Sequence, residues 1–478
     1  MGSKSTQEIN QIKAKQTSLG WYDKLTTSPI NLLIFVVSWA TILLVISPLV
    51  GIPWSQLGDF NFRTLMYYHA IMLPTVGVLI CLVSLVMNIG GEVSKLLRYS
   101  LIPAIVLAGL GSFFIFSITD TIPVWMQIVG MLVLDEMAIA LIWGLMMLPR
   151  KLGMAYRAMN LSYWAITLFV ILAFLAALFG HASGVGVDWG WGWIPGILTY
   201  LTSQGLTGTS FTANLVTSHS HEMLPSVMGG TVVLTMVWFG YDKKLKGGYK
   251  MAADIGLAIM IFGGLVYTIL YVWSGLTGWP IPTILTGGPG GVNGLALDDL
   301  STGFVALGSL IAIAPLATIG IEGIGASIRS SIRDPLRISI FLSWILAIIS
   351  IAGVGYPIEF NEVFYGAGVP PAAGYLNDLA FTRAHLLSGF FIFVILAAFL
   401  LALDIFYRKS GSKLNLTLAP ALAIAGMLIT VTGEVVWVIT MNMIIFFVGW
   451  SICILSIASI AYYLFVLRRS AASQIGWG

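Results

Sequence analysis

"IGLAIMIFGGLVYTILYVWS", residues 255–274, runs for twenty residues without a charged side chain. A helix rises about 1.5 Å per residue, so such a run spans about 30 Å, the hydrocarbon thickness of a bilayer. It lacks the two-residue alternation of a barrel strand. In hydrocarbon a lone spanning segment must satisfy its own backbone, which leaves a helix. Similar runs recur outward from it through a chain of 478 residues, 58% hydrophobic and 9% charged. Soluble domains carry about 25% charged residues, so that class is excluded. The expected partner is the lipid bilayer; no nucleic-acid partner is expected.

Twelve spans follow, over 30–50, 64–88, 98–117, 123–148, 160–180, 220–240, 252–275, 302–327, 338–356, 384–404, 416–433 and 441–467. The fold class is all-α, a polytopic membrane protein with twelve transmembrane helices. With the N-terminus inside, 21 of the 23 lysines and arginines fall in inner segments. That satisfies the positive-inside rule and makes both termini cytoplasmic, in a multi-pass protein of the cell (plasma) membrane. Residues 1–29 form a basic cytoplasmic tail without the apolar core of a cleavable signal. Residues 30–467 form the membrane domain, and 468–478 a short cytoplasmic tail. Cys81 and Cys453 lie in apolar runs and read as packing residues.

Three outer segments stand out. Residues 181–218 carry "DWGWGWIPG" (188–196), an aromatic belt or a docking surface, and a Thr/Ser-rich stretch suited to an interfacial helix. Residues 276–301 carry "TGGPGGVNG", read as loop. Residues 357–383 carry "GAGVPPAAG".

All five histidines fall at the outer ends of spans. His69 lies one turn and a half into the second, and His181 ends the fifth. His219 and His221 open the sixth within "TSHSHEMLP" (217–225), and His385 opens the tenth. The two basic residues left outside, Arg63 and Arg383, each precede a histidine-bearing span. Such a set suits a haem in the outer part of the membrane, with guanidinium forks over its propionates. The competing reading is interfacial arginines with histidines at helix starts. His219 and His221, at i and i+2, stand about 200° apart on a helix and cannot easily grip one ion.

With "YYHAIMLP" (67–74) on the second of twelve spans, the chain resembles subunit I of the haem–copper oxidase superfamily, a likeness of topology with few shared motif residues. The resemblance places His69 as an axial ligand in a His-Gly-x-x-Met pattern, with Met72 kept and Ala70 for glycine. In "DLAFTRAHLL" it keeps Asp378 and His385, but Leu387 stands where the family has a second histidine. On the sixth span it matches His219 or His221 with Glu222 to the family's copper-ligand histidine. The seventh span has no histidine pair, so no copper is expected at the usual site, nor oxygen reduction by the usual route. It suggests a diverged relative, such as an archaeal respiratory subunit accompanying a b-type cytochrome and a Rieske protein.

The expected cofactor is a b-type haem, one or two, with His69 and His385 as axial ligands. His221 is the second candidate to pair with His69, and His181, His219 and His221 form a further candidate centre. Asp135 and Glu136, in "VLDEMAIALIWG" (133–144), sit mid-span at a cost of at least ~2.5 kcal/mol each if charged, and are proton-path candidates. Glu322 and Glu434 read as boundary residues. The expected function is a respiratory electron-transfer subunit exchanging electrons with quinol or with an outer cytochrome or Rieske protein, alongside other membrane subunits. The alternatives are a haem-free scaffold subunit and a proton-coupled secondary transporter.

Overall fold

The computed structural model describes residues 29–57, 62–115, 121–188, 190–192, 194–277, 283–287, 293–317, 334–354 and 378–471. The polar N-terminal tail, the 357–377 segment and Glu322 lie outside them. The long helices are α1 (Pro29–Ile46), α2 (Phe62–Val86), α3 (Glu92–Phe114), α4 (Thr121–Lys151), α5 (Leu161–Asp188) and α6 (Gly208–Phe239). There follow α7 (Gly247–Thr277), α8 (Leu297–Ile313), α9 (Pro335–Ile348, extended by the π-turn Ile349–Val354) and α10 (Asp378–Leu387, π-turn Ser388–Ile392, then Phe393–Ser410). The last two are α11 (Leu418–Thr440) and α12 (Ile444–Ala471).

Ten of these helices are long and apolar enough to cross a membrane, and the chain is an all-α polytopic membrane protein. The remaining two, α1 and α8, are shorter apolar helices: α1 gives way to a turn containing Pro48, and the described part of the α8 segment stops at residue 317. The loop expected over 276–301 holds instead a small antiparallel hairpin, Thr283–Gly287 against Asn293–Ala296.

Three helices form the centre. α10 is the most enclosed, followed by α2 and α6, and each of the three touches the other two. They are also the helices that carry His385, His69 and the His219–His221 pair. Around them the closest antiparallel pairs are α5 with α6, α7 with α8 and α11 with α12.

Several histidines sit deeper along their helices than the apolar runs suggest. α6 begins at Gly208, not 220, because Thr207 caps it: its hydroxyl accepts from the Ser210 N–H, and Ser210 returns a bond to the Thr207 N–H. A Thr/Ser-rich stretch looks like loop because hydroxyls compete for the backbone. Here they bond back within the helix, as Thr212 does to the Gly208 carbonyl at 2.9 Å. α5 likewise continues to Asp188, so His181 lies two turns inside its end.

Pro74 shapes the centre. It has no N–H for the Ala70 carbonyl, and the Trp39 indole of α1 fills that place at 2.9 Å. Gly109, in the π-turn Ile105–Gly109 of α3, packs against the same point, with Pro74 3.3 Å from where a Cβ would stand. Trp39→Phe is expected to destabilise the protein by about 1–3 kcal/mol, since it leaves a buried carbonyl unmet. Adding Pro74→Ala restores the helical donor and should recover most of that loss in thermal unfolding.

Candidate functional site

At the end of the bundle away from most of the basic loops, His69 of α2 and His219 of α6 lie ring to ring, with centroids 6.0 Å apart and planes 19° from parallel. His69 Nδ1 is 2.6 Å from the Leu65 carbonyl on its own helix. His219 Nδ1 is 2.8 Å from the Ala176 carbonyl of α5. A carbonyl oxygen only accepts, so each Nδ1 carries the hydrogen. In the neutral ring Nε2 is then the bare nitrogen, free to accept a proton or bind a metal. Both rings are half-buried.

Beyond His219 stands His181 of α5, within coulombic reach of it. His181 Nδ1 is 3.4 Å from Asp135 Oδ2 of α4. Four titratable side chains thus run across α2, α6, α5 and α4 in the order His69, His219, His181, Asp135. Gly180 makes the packing possible: a Cβ there would lie 2.7 Å from His219 Nδ1. Gly184, one turn on, has nothing within 4 Å of the same position. Gly180→Ala is expected to cost about 1–3 kcal/mol by overpacking. Gly184→Ala is expected to be neutral or stabilising, because alanine favours helix over glycine. Thermal melts of the two variants provide the check.

The remaining expected residues are placed as follows. His221 is exposed on the other face of α6, as its i+2 spacing requires. Its ring stacks on Tyr271 of α7 at 5.9 Å, and its Nδ1 is 3.0 Å from the Thr217 carbonyl. It also lines an open groove of about 850 Å³ with Trp191, Thr212 and Ser220. So His221 does not pair with His69, and the expected trio of His181, His219 and His221 is split by the helix. Among the described residues no three His, Cys, Asp or Glu side chains converge closely enough to hold a metal ion. His385 packs edge-on to Phe390 at 5.8 Å, whereas the imidazole beside His69 is His219. α2 still meets α10 here, through Tyr68 stacked on Phe391 at 4.7 Å. Arg63 donates to the Val50 carbonyl at the α1–α2 turn, and Arg383 lies in the first turns of α10. Asp135 points into the bundle, but its neighbour Glu136 is exposed on the outer surface of α4.

Two further acids are fully buried, which the sequence reading does not anticipate. Glu222 is fully buried against α7, and neither carboxyl oxygen has a hydrogen bond. The nearby Thr268 hydroxyl is committed to the Gly264 carbonyl at 2.7 Å. Glu434, expected at a boundary, is fully buried because α11 runs on to Thr440. Its Oε2 lies 2.8 Å from Ser350 Oγ and 3.0 Å from Ser388 Oγ. The apolar "VVWVI" after Glu434 is the sequence signal that the span continues.

No family model, curated protein or solved structure matches this chain.

Proposed function

We propose that the chain is a respiratory membrane subunit that holds a b-type haem between His69 and His219. One observation carries this reading: two imidazoles from two central helices, each with Nδ1 held by a carbonyl and Nε2 left with its lone pair. Two such ligands are too few for a bare ion, which takes about four. They are enough for an iron whose other positions a porphyrin fills, so the donor set fits a haem. Haem ligated by two histidines supplies one-electron transfer and offers no open iron position for oxygen.

The chain's own residues have distinct tasks. The Leu65 and Ala176 carbonyls fix which ring nitrogen is bare, and Gly180 leaves room for His219. His181 and Asp135, beside them, form a pair able to take up or release a proton as the charge at the site changes. In this reading all twelve helices cross the cell membrane with the basic loops cytoplasmic, and the haem lies near the outer face. Quinol and an outer cytochrome or Rieske protein are its electron partners.

Glu136 supports membership of a larger complex. It sits at the midpoint of the 31-residue helix α4 on its exposed face. A carboxylate facing lipid at that depth costs at least ~2.5 kcal/mol, which a polar or basic group on another subunit's helix would offset.

A pyridine haemochrome assay on the mildly purified protein tests the proposal. Protohaem in at least equimolar amount, with a reduced-minus-oxidised b-type band, is expected. A folded protein without haem would point instead to a scaffold that anchors redox partners.

A further inference from the structure

The crossing of α9, α10 and α11 carries a feature that the haem reading does not use. Ser350 lies in the π-turn of α9 and Ser388 in the π-turn of α10, and the two hydroxyls meet at 2.5 Å against the fully buried Glu434 of α11. π-turns are rare, and they cluster at functional sites. The approach is close because α10 presents Gly389: a Cβ there would lie 2.5 Å from Ile351 and 3.1 Å from the Ala347 carbonyl.

Counting hydrogens decides the state of the acid. Three oxygen–oxygen contacts are 2.8 Å or shorter: Glu434 Oε2 to Ser350 Oγ, Ser350 Oγ to Ser388 Oγ, and Ser388 Oγ to the Ala384 carbonyl. Each needs one hydrogen between its oxygens, and the two serines supply two. An ionised Glu434 would leave one contact as two facing lone pairs. A protonated Glu434 fills all three: its Oε2–H donates to Ser350, Ser350 to Ser388, and Ser388 to Ala384, which leaves only the longest contact, Ser388 Oγ to Oε2 at 3.0 Å, without a hydrogen. The other oxygen, Oε1, has no hydrogen bond, a smaller burden for a neutral acid than for a carboxylate.

Among the described residues, the side chains hydrogen-bonded to the carboxyl are the two serines. At this level α10 carries Arg383 and His385, whereas residues 345–354 of α9 and 444–451 of α12 contain no titratable side chain.

We propose that Glu434, Ser350 and Ser388 form a proton-binding site that holds one proton at neutral pH. Releasing it turns both hydroxyls toward Oε2. Ser388 then lets go of the Ala384 carbonyl, and the 2.5 Å serine contact loses its hydrogen and must open. Proton release is therefore tied to separation of the two π-turns.

Infrared spectroscopy of the purified full-length protein at neutral pH tests this. The expected result is a protonated-carboxyl C=O band that shifts in deuterated buffer, disappears in Glu434→Gln and moves in frequency in Ser350→Ala. Glu434→Gln, isosteric with the neutral acid, is expected to keep its thermal midpoint close to that of the wild type. A band unchanged by Glu434→Gln overturns the proposal, and so does a large loss of stability in that variant. Stabilisation of the wild type by sodium or potassium chloride over choline chloride, absent from Glu434→Gln, would also overturn it by showing a metal-cation site.

Discussion

Asp404→Ala is expected to lower the stability of the protein by about 3–5 kcal/mol, the cost of breaking a buried ion pair from one side. Asp404 is fully buried on α10 at the end opposite the histidines. Its Oδ1 accepts from Arg408 Nε at 2.8 Å, and its Oδ2 from the Trp238 indole of α6 at 2.7 Å. Arg337 of α9 approaches to 3.7 Å while lying over the Phe239 ring. Asp334, a third exposed, pairs with Arg408 as well and caps α9 through the Arg337 N–H. Removing Asp404 leaves two guanidiniums with only this outlying carboxylate. Asp404→Asn keeps an acceptor for Trp238 and is expected to cost less. Thermal unfolding in one detergent ranks the two variants, and an unchanged midpoint for Asp404→Ala would contradict the assignment.

The second large effect is loss of haem. His69→Ala and His219→Ala are each expected to abolish the b-type band, because each removes one of the two imidazoles that would hold the haem. His221→Ala and His385→Ala are expected to retain it: the first ring faces Tyr271 and the second Phe390. Gly180→Ala, acting only through the position of His219, is expected to fall between the two groups in haem content. Loss of the band in His385→Ala with retention in His219→Ala would move the site to the α2–α10 contact.

Hydropathy and charge made the class of fold legible, because crossing a bilayer demands length and apolarity that few other constraints imitate. Helix ends were less legible. Thr207 and Ser210 cap α6 twelve residues before the run that hydropathy marks, so His219 and His221 read as terminal when they are internal. Glu434 was misplaced for the opposite reason: a single acid ended the apparent run, although α11 continues for six residues beyond it. The opposed directions of His219 and His221 followed from helical period alone. Which ring faces His69 did not, because it depends on how α5 packs against α6, and a glycine at 180 gives no such sign in isolation. Asp135 and Glu136, adjacent in sequence and alike in chemistry, part company for the same reason as the two histidines.

The most direct test of the central claim is the low-temperature electron paramagnetic resonance spectrum of the oxidised protein and of its His219→Ala variant. The account predicts a low-spin ferric signal of the rhombic type given by two near-parallel imidazoles, consistent with ring planes 19° apart, and its loss in the variant. A wild-type protein without a ferric haem signal, or a low-spin signal unaltered by His219→Ala, would contradict it.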